Sequence, residues 1–202
     1  ILLKPILGNP DKLASLLNAT VSTVKYAKVD AWNNWGITID GRYQIDNSPN
    51  IQYAYATGGF VGSMSGAVLG DKDSNSDSLI VNNIRKVIGG EHVGGFFGLA
   101  DVAAVAEVGD NESNGILGLI KIGELDVLDA FRSYIYHGLV NGSNDQGLIV
   151  SANTQNESGA FENKVQTGNA GGFGGSLLNG SVKNSKVTKL NQVNALNYAG
   201  GF

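Results

Sequence analysis

His92-Val93-Gly94-Gly95-Phe96-Phe97-Gly98 decides how this chain is read, because the same pattern returns at three other places. Ala56-Thr57-Gly58-Gly59-Phe60-Val61-Gly62 and Asn169-Ala170-Gly171-Gly172-Phe173-Gly174-Gly175 share it, and Gly200-Gly201-Phe202 begins a fourth copy. Paired glycines suit a tight corner where neighbouring backbones approach too closely for a Cβ, and the following Phe is expected to point inward and stack on its counterpart one repeat away. Self-similarity of this kind marks a stacked repeat architecture, in which each unit covers the apolar face of its neighbour.

The likeness extends outward from the corner. Gly58 to Val68 resembles Gly171 to Val182, with one extra residue in the second copy. Val81, Ile84 and Val87 precede the second corner at the spacing with which Val187, Leu190 and Val193 precede the fourth. The unit is therefore an apolar approach, a Gly-Gly-Phe corner, a strand, a polar turn and a further strand. The expected fold is all-β, a β-solenoid or right-handed parallel β-helix. The alternative is a β-sandwich or flat sheet whose hairpins share a Gly-Gly-aromatic turn.

Composition agrees. Of 202 residues, 29 are Gly and three Pro, and only 16% are charged, so Asn, Ser, Thr and Gly occupy the polar positions and supply the turn chemistry that coiled β structure needs at its corners. The net charge of -4, without a Lys/Arg run, argues against nucleic acid as a partner. With no Cys there is no disulfide framework, thiolate metal site or Cys nucleophile. The chain opens on Ile1, and Ile1-Leu2-Leu3 is too short for a signal peptide or membrane span, so it reads as an internal piece of a longer protein.

One domain is expected over 1–202. Residues 1–52 form a cap region: Asn9-Pro10 starts a short N-terminal helix carrying Leu13, Leu16 and Leu17 on one face, and Asp40-Gly41 reads as a hairpin turn between Ile37-Thr38-Ile39 and Arg42-Tyr43-Gln44-Ile45. Repeats fill 53–112 and 146–202, the latter expected to continue beyond residue 202. Between them 113–145 reads as a partly helical insertion, dense in Ile and Leu, broken by Gly118 and Gly123, and leading into a strand at Ser133–Tyr136. Residues 153–163 are polar and read as a loop.

The repeated heptapeptides resemble the glycine-rich, GLUG-like repeat regions of large Gram-positive cell-wall-anchored surface adhesins. The resemblance runs from Tyr53 to Phe202, the insertion excepted. GLUG repeats carry an aliphatic residue where this chain has Phe60, Phe96 and Phe173, and the period here is irregular. It implies an extracellular, wall-attached segment that binds a host protein or glycan, immunoglobulin in the manner of a superantigen being one such partner. The alternative is a passive stalk or spacer. No catalytic residue is implied.

Chemistry-bearing clusters are few. Asp71, Asp73, Asn75 and Asp77 place oxygens at alternate positions, as a calcium loop does, but the EF-hand pattern wants Gly at Ser76 and Glu at Asn82. As a polar loop between two strands the segment needs no metal, so no cofactor is expected, with calcium the alternative. His92 and His137 lie outside any His/Cys/carboxylate cluster, and the position of His92 is Ala56, Asn169 and Tyr198 in the other copies. A β-helix polysaccharide enzyme would need paired carboxylates on adjacent rungs, whereas the other acids are scattered, so an enzyme is not expected. Five Asn-x-Ser/Thr sequons, beginning at Asn18, Asn111, Asn141, Asn156 and Asn179, coincide mostly with turn signals.

Two groups remain for partner binding. Trp32 and Trp35 sit in a polar, glycine-ended segment, where they either cover an open end of the core or contact a ligand. Phe131, Arg132, Tyr134 and Tyr136 bring aromatics and a guanidinium together in the insertion, where recognition is often grafted.

Overall fold

The computed structural model describes residues 21–44, 51–101, 132–152 and 168–202. These residues are all-β, and nearly every strand pairing among them is parallel. The chain passes through the same sheets four times. The first layer holds β1 (Thr23–Val24), β2 (Ala27–Asp30), β3 (Ile37–Asp40), β4 (Arg42–Gln44), β5 (Ile51–Tyr53), β6 (Ala56–Gly58) and β7 (Val61–Ser65). The second holds β8 (Val68–Leu69), β9 (Leu79–Gly89), β10 (His92–Gly94) and β11 (Phe97–Asp101). The third holds β12 (Ser133–Tyr136), β13 (Gly138–Gly142), β14 (Leu148–Ala152), β15 (Asn169–Gly171) and β16 (Gly174–Leu177), and the fourth β17 (Gly180–Lys183), β18 (Lys186–Thr188), β19 (Leu190–Asn194) and β20 (Tyr198–Gly200).

Sheet orders repeat that succession. One sheet runs β1-β8-β12-β17, another β6-β10-β15-β20, a third β7-β11-β16. In the largest, β9 bridges two halves, pairing with β2 and β13 through its first part and with β3 and β14 through its second. Parallel strands covered on their inner face favour β-branched residues. Register therefore aligns Val29, Val81, Val140 and Val187 in one column and Ile39, Val87, Val150 and Val193 in another. Val81, Ile84, Val87, Val140, Leu148 and Val150 have no exposed surface.

The Gly-Gly-Phe corners lie on top of one another. Phe60, Phe96, Phe173 and Phe202 form a ladder whose ring centroids are 4.8 Å apart at each step, with planes within 7° of parallel. That step is the spacing of hydrogen-bonded strands, so the rings are carried into offset stacking by the backbone repeat itself. A Cβ on Gly58 would come within 2.7 Å of Phe96 O, one on Gly94 within 2.7 Å of Phe173 O, and one on Gly171 within 2.5 Å of Phe202 O. Each such Cβ would also collide with the carbonyl three residues on in its own corner, Val61, Phe97 or Gly174 O, so the doubled glycine is required by the corner's own turn as well as by contact between layers.

Corners elsewhere use left-handed residues: His137 (φ 54°) and Asn184 (φ 51°) occupy matching places, with Gly70 (φ 90°) one residue earlier in register, and Gly36 (φ 84°), Asn83 (φ 54°) and Lys189 (φ 54°) match one another. His137 is thus a corner residue, with its Nε2 3.3 Å from the Asn184 amide of the next layer.

Two expectations need correcting or restricting. Asp40-Gly41 closes no hairpin: β3 runs parallel to β9, while β4 turns off to pair antiparallel with β5. Gly41 is needed for packing, since a Cβ there would lie 2.6 Å from Thr57 Oγ1 and 3.0 Å from Ile88 O. Of the stretch read as an insertion, residues 132–145 supply β12 and β13, which pair parallel with β8 and β9 on one side and β17 and β18 on the other. The short helix expected before residue 20, the helical turns expected before residue 132 and the loop at 153–163 lie outside the described residues.

Candidate functional site

The corner that divides the largest sheet differs in length from layer to layer. In the second and fourth layers a single left-handed residue, Asn83 or Lys189, makes the bend. In the first it expands to residues 31–36, and in the third to residues 143–147. A long loop thus stands on either side of a short one, and Gly36 brings the two loops together over Asn83: a Cβ on it would meet Asn83 O at 2.8 Å and Ser143 Cβ at 3.1 Å. The result is a cleft of about 260 Å³, lined by Asp30, Trp32, Asn33 and Asn34 from the first layer, Asn82 and Asn83 from the second, and Asn141 and Asn144 from the third.

Register sets the polar groups along this cleft. Asp30, Asn82, Asn141 and Thr188 are equivalent positions in the four layers. Each donates to the one before it: Asn82 Nδ2 to Asp30 Oδ1 at 2.8 Å, Asn141 Nδ2 to Asn82 Oδ1 at 2.7 Å, and Thr188 Oγ1 to Asn141 Oδ1 at 2.7 Å. The ladder fixes the amide orientations in advance. Bonds to Lys28 and Asn82 hold the Asp30 carboxyl below the usual carboxylate range. Asn83 Nδ2 ties down the first loop through Asn33 O at 2.8 Å, while its Oδ1 is buried with no hydrogen-bond partner. Inside the loop, Trp35 N–H donates to Asn33 Oδ1 at 3.1 Å, closing an Asx turn.

Trp32 is 94% exposed and Trp35 71% exposed, so neither indole covers the core. Trp32 lines the cleft beside its amides. The cleft wall is almost wholly polar, so it offers fixed donors and acceptors with an exposed aromatic residue at its rim, a chemistry suited to a ring carrying several hydroxyl groups.

A second groove, of about 390 Å³, lies over the sheet β1-β8-β12-β17. Arg132, Tyr134 and Tyr136 line it together with Lys25, Lys72, Asp71 and Asp73. Tyr134 and Tyr136 share a face by strand alternation and stack at 6.0 Å, and burial raises the Tyr136 pKa. Two sets of residues that the sequence presents separately are thereby joined. Asp71 is engaged at both oxygens, Oδ1 by Asp73 N–H at 3.1 Å and Oδ2 by Tyr26 Oη at 3.0 Å, with Lys25 beyond; these partners keep it ionised below the usual range. Asp77 turns away to Lys186 at 2.9 Å. Among the described residues no three His, Cys, Asp or Glu groups gather as metal ligands, and Asn75 stays in the loop between these acids. Phe131 lies outside the described residues.

His92 is buried, its Nδ1 2.7 Å from Ser176 Oγ, with Tyr55 edge-on at 4.8 Å. Desolvation lowers its pKa against a smaller opposing effect of Glu91. The Asn82, Asn83 and Asn141 group escaped sequence reasoning, although Val29-Asp30, Val81-Asn82, Val140-Asn141 and Val187-Thr188 carry the signal of a polar residue after an equivalent Val. No family model, curated protein or solved structure matches the chain.

Proposed function

We propose that this chain is a β-solenoid segment of a Gram-positive cell-surface adhesin, extracellular and attached to the wall, and that it binds a host glycan in the Trp32 cleft. Four passes through the same parallel sheets support the solenoid reading, and the low-charge, Cys-free, Asn- and Gly-rich composition suits an extracellular scaffold. The observation that carries the function is Trp32, 94% exposed at the edge of a cleft whose asparagines are already oriented by their own ladder. Leaving an indole in water is costly without a purpose, while preorganised amides lose little entropy on binding. The reading is of a binder and not a catalyst: among the described residues Asp30 is the one carboxylate lining the cleft, and glycoside cleavage ordinarily uses two.

A host protein such as immunoglobulin is the second reading. It is favoured by the other groove, where Tyr134, Tyr136 and Arg132 are the residue types that dominate protein hot spots. One comparison separates the two. Wild type, Trp32→Ala and Tyr134→Ala are tested against immobilised mucin glycans and in a serum pull-down. The glycan reading expects Trp32→Ala to lose at least about tenfold in affinity, about 1.4 kcal/mol, with the unfolding midpoint unchanged. Binding lost only in Tyr134→Ala, and only to a serum protein, would replace it with the second reading. Retention by neither ligand would leave the stalk.

A further inference from the structure

The bend at Asn83 needs a left-handed backbone, with φ at 54°, and asks nothing else of its residue. Its equivalents are Gly36 in the first layer and Lys189 in the fourth, two residues with no side-chain chemistry in common. Glycine adopts that conformation without strain. It would also remove the Oδ1 that Asn83 buries without a hydrogen-bond partner, and a buried acceptor left unpaired is a cost to the folded state. Stability alone therefore gives no reason for asparagine here.

The side chain does one thing that glycine cannot. Asn83 Nδ2 donates to Asn33 O at 2.8 Å, and Asn33 Oδ1 accepts the Trp35 N–H at 3.1 Å, so one amide fixes the middle of the loop that carries both tryptophans. The fourth layer repeats the device with a different donor: Lys189 Nζ reaches Asn144 Oδ1 at 2.5 Å, and Asn191 Nδ2 beside it reaches Gln146 O at 2.7 Å. In both places a bend of one residue reaches across a layer step to hold the long loop of the layer before it. Two unlike side chains serving the same end mark the holding of the loop, and not the turning of the chain, as what selects them.

We propose that Asn83 is a positioning residue for the Trp32 cleft, holding the loop at 31–36 in the orientation that sets Trp32 beside the asparagine ladder, at no gain to the stability of the fold. The proposal rests on the reading of that cleft as a glycan site. A surface loop released from its anchor samples many conformations, and each one that carries the indole away lowers the fraction of molecules able to bind. Apparent affinity falls by that fraction. Fixing the loop before the ligand arrives removes the loss. A side chain that does this acts on binding without touching the ligand, which separates its effect from that of Trp32 itself.

Trp32 and Trp35 are the two tryptophans of the chain, so its tryptophan fluorescence reports on this loop alone. Asn83→Gly should lower the fluorescence anisotropy, unfold at or above the wild-type temperature, and bind immobilised mucin glycans at least about tenfold more weakly. Lys189→Gly, which releases the other loop, should leave the anisotropy at the wild-type value. Asn83→Asp tolerates the left-handed bend but has no donor for Asn33 O, so it should repeat the losses of anisotropy and affinity if the glycine variant folds poorly. Anisotropy unchanged in both Asn83 variants, an unfolding temperature of Asn83→Gly well below wild type, or full affinity for a glycan that wild type binds would each overturn the proposal. If wild type binds no mucin glycan, the glycan reading falls, while anisotropy and unfolding temperature still decide whether Asn83 holds the loop.

Discussion

Placing the same residue at two equivalent glycines should give opposite results, and the structure says by how much. Gly95 and Gly201 occupy matching corners, and neither has a positive φ, so Ala carries no backbone strain at either. At Gly95 the new methyl would sit inside contact distance of Gly172 O, 2.9 Å from Leu148 Cδ2 and 3.1 Å from Val140 Cγ1. The carbonyl belongs to a corner of the next layer, so relief requires the layers to part by more than an ångström. Three bonds cross there: Gly95 N–H to Gly171 O at 3.3 Å, Phe96 N–H to Phe173 O at 2.7 Å and Phe97 N–H to Phe173 O at 3.2 Å. Weakening these at about 1 kcal/mol each, and the Phe96–Phe173 stack at about 1 kcal/mol, gives a loss of about 3–4 kcal/mol, a large part of the 5–15 kcal/mol that holds a domain together. At Gly201 the methyl has space, and fewer unfolded conformations should make Ala neutral or stabilising by up to about 1 kcal/mol. Urea unfolding of Gly95→Ala and Gly201→Ala measures both. Equal destabilisation, or a loss below about 1 kcal/mol at Gly95, would refute the steric account of the repeat.

Two further outcomes follow from buried polar groups. His92 has a folded pKa below its ordinary value because burial disfavours the charged ring, so the unfolded chain takes up its proton first; stability should fall as pH drops below about 6.5, and His92→Asn, the residue at the equivalent position 169, should flatten that slope in unfolding curves recorded across pH. Thr57 Oγ1 is buried without a partner, so Thr57→Val should raise the unfolding free energy by about 1 kcal/mol; a loss instead would reveal a bond that the hydroxyl makes in solution.

What could be read from the sequence followed from how the layers touch. Corners that meet at every step must repeat their residues, so Gly-Gly-Phe is visible in one dimension, and the equivalence of His92 with Ala56, Asn169 and Tyr198 is the pairing the strands adopt. Where the layers do not impose an identity, local signals misled. Asp40-Gly41 has the strongest hairpin signature in the chain, but β9 captures β3 in parallel, and Gly41 is there to let Thr57 and Ile88 approach. The long interval between Gly94 and Gly171 reads as an excursion because residues 102–131 and 153–167 add length that the interval from Gly58 to Gly94 lacks; the membership of β12, β13 and β14 in the repeat shows only in Val140 and Val150, two aliphatic residues among many.

The same distinction explains why the clefts were only half legible. Tyr134 and Tyr136 alternate along one strand, so period two exposes them to inspection, and Trp32 stands out as one of two tryptophans. The asparagines beside Trp32 are drawn from positions near 33, 83 and 141, and only the register of β2, β9 and β13 places them side by side. A scaffold that stacks identical corners can make a recess only by letting one corner differ from its neighbours. Here the bend of a single residue at Asn83 between loops of several residues creates it. Columns that repeat, Gly58-Gly94-Gly171 or Phe60-Phe96-Phe173, are committed to holding layers together. Recognition is therefore to be sought where corner length changes between layers, and the Trp32 cleft lies at such a change in the described chain.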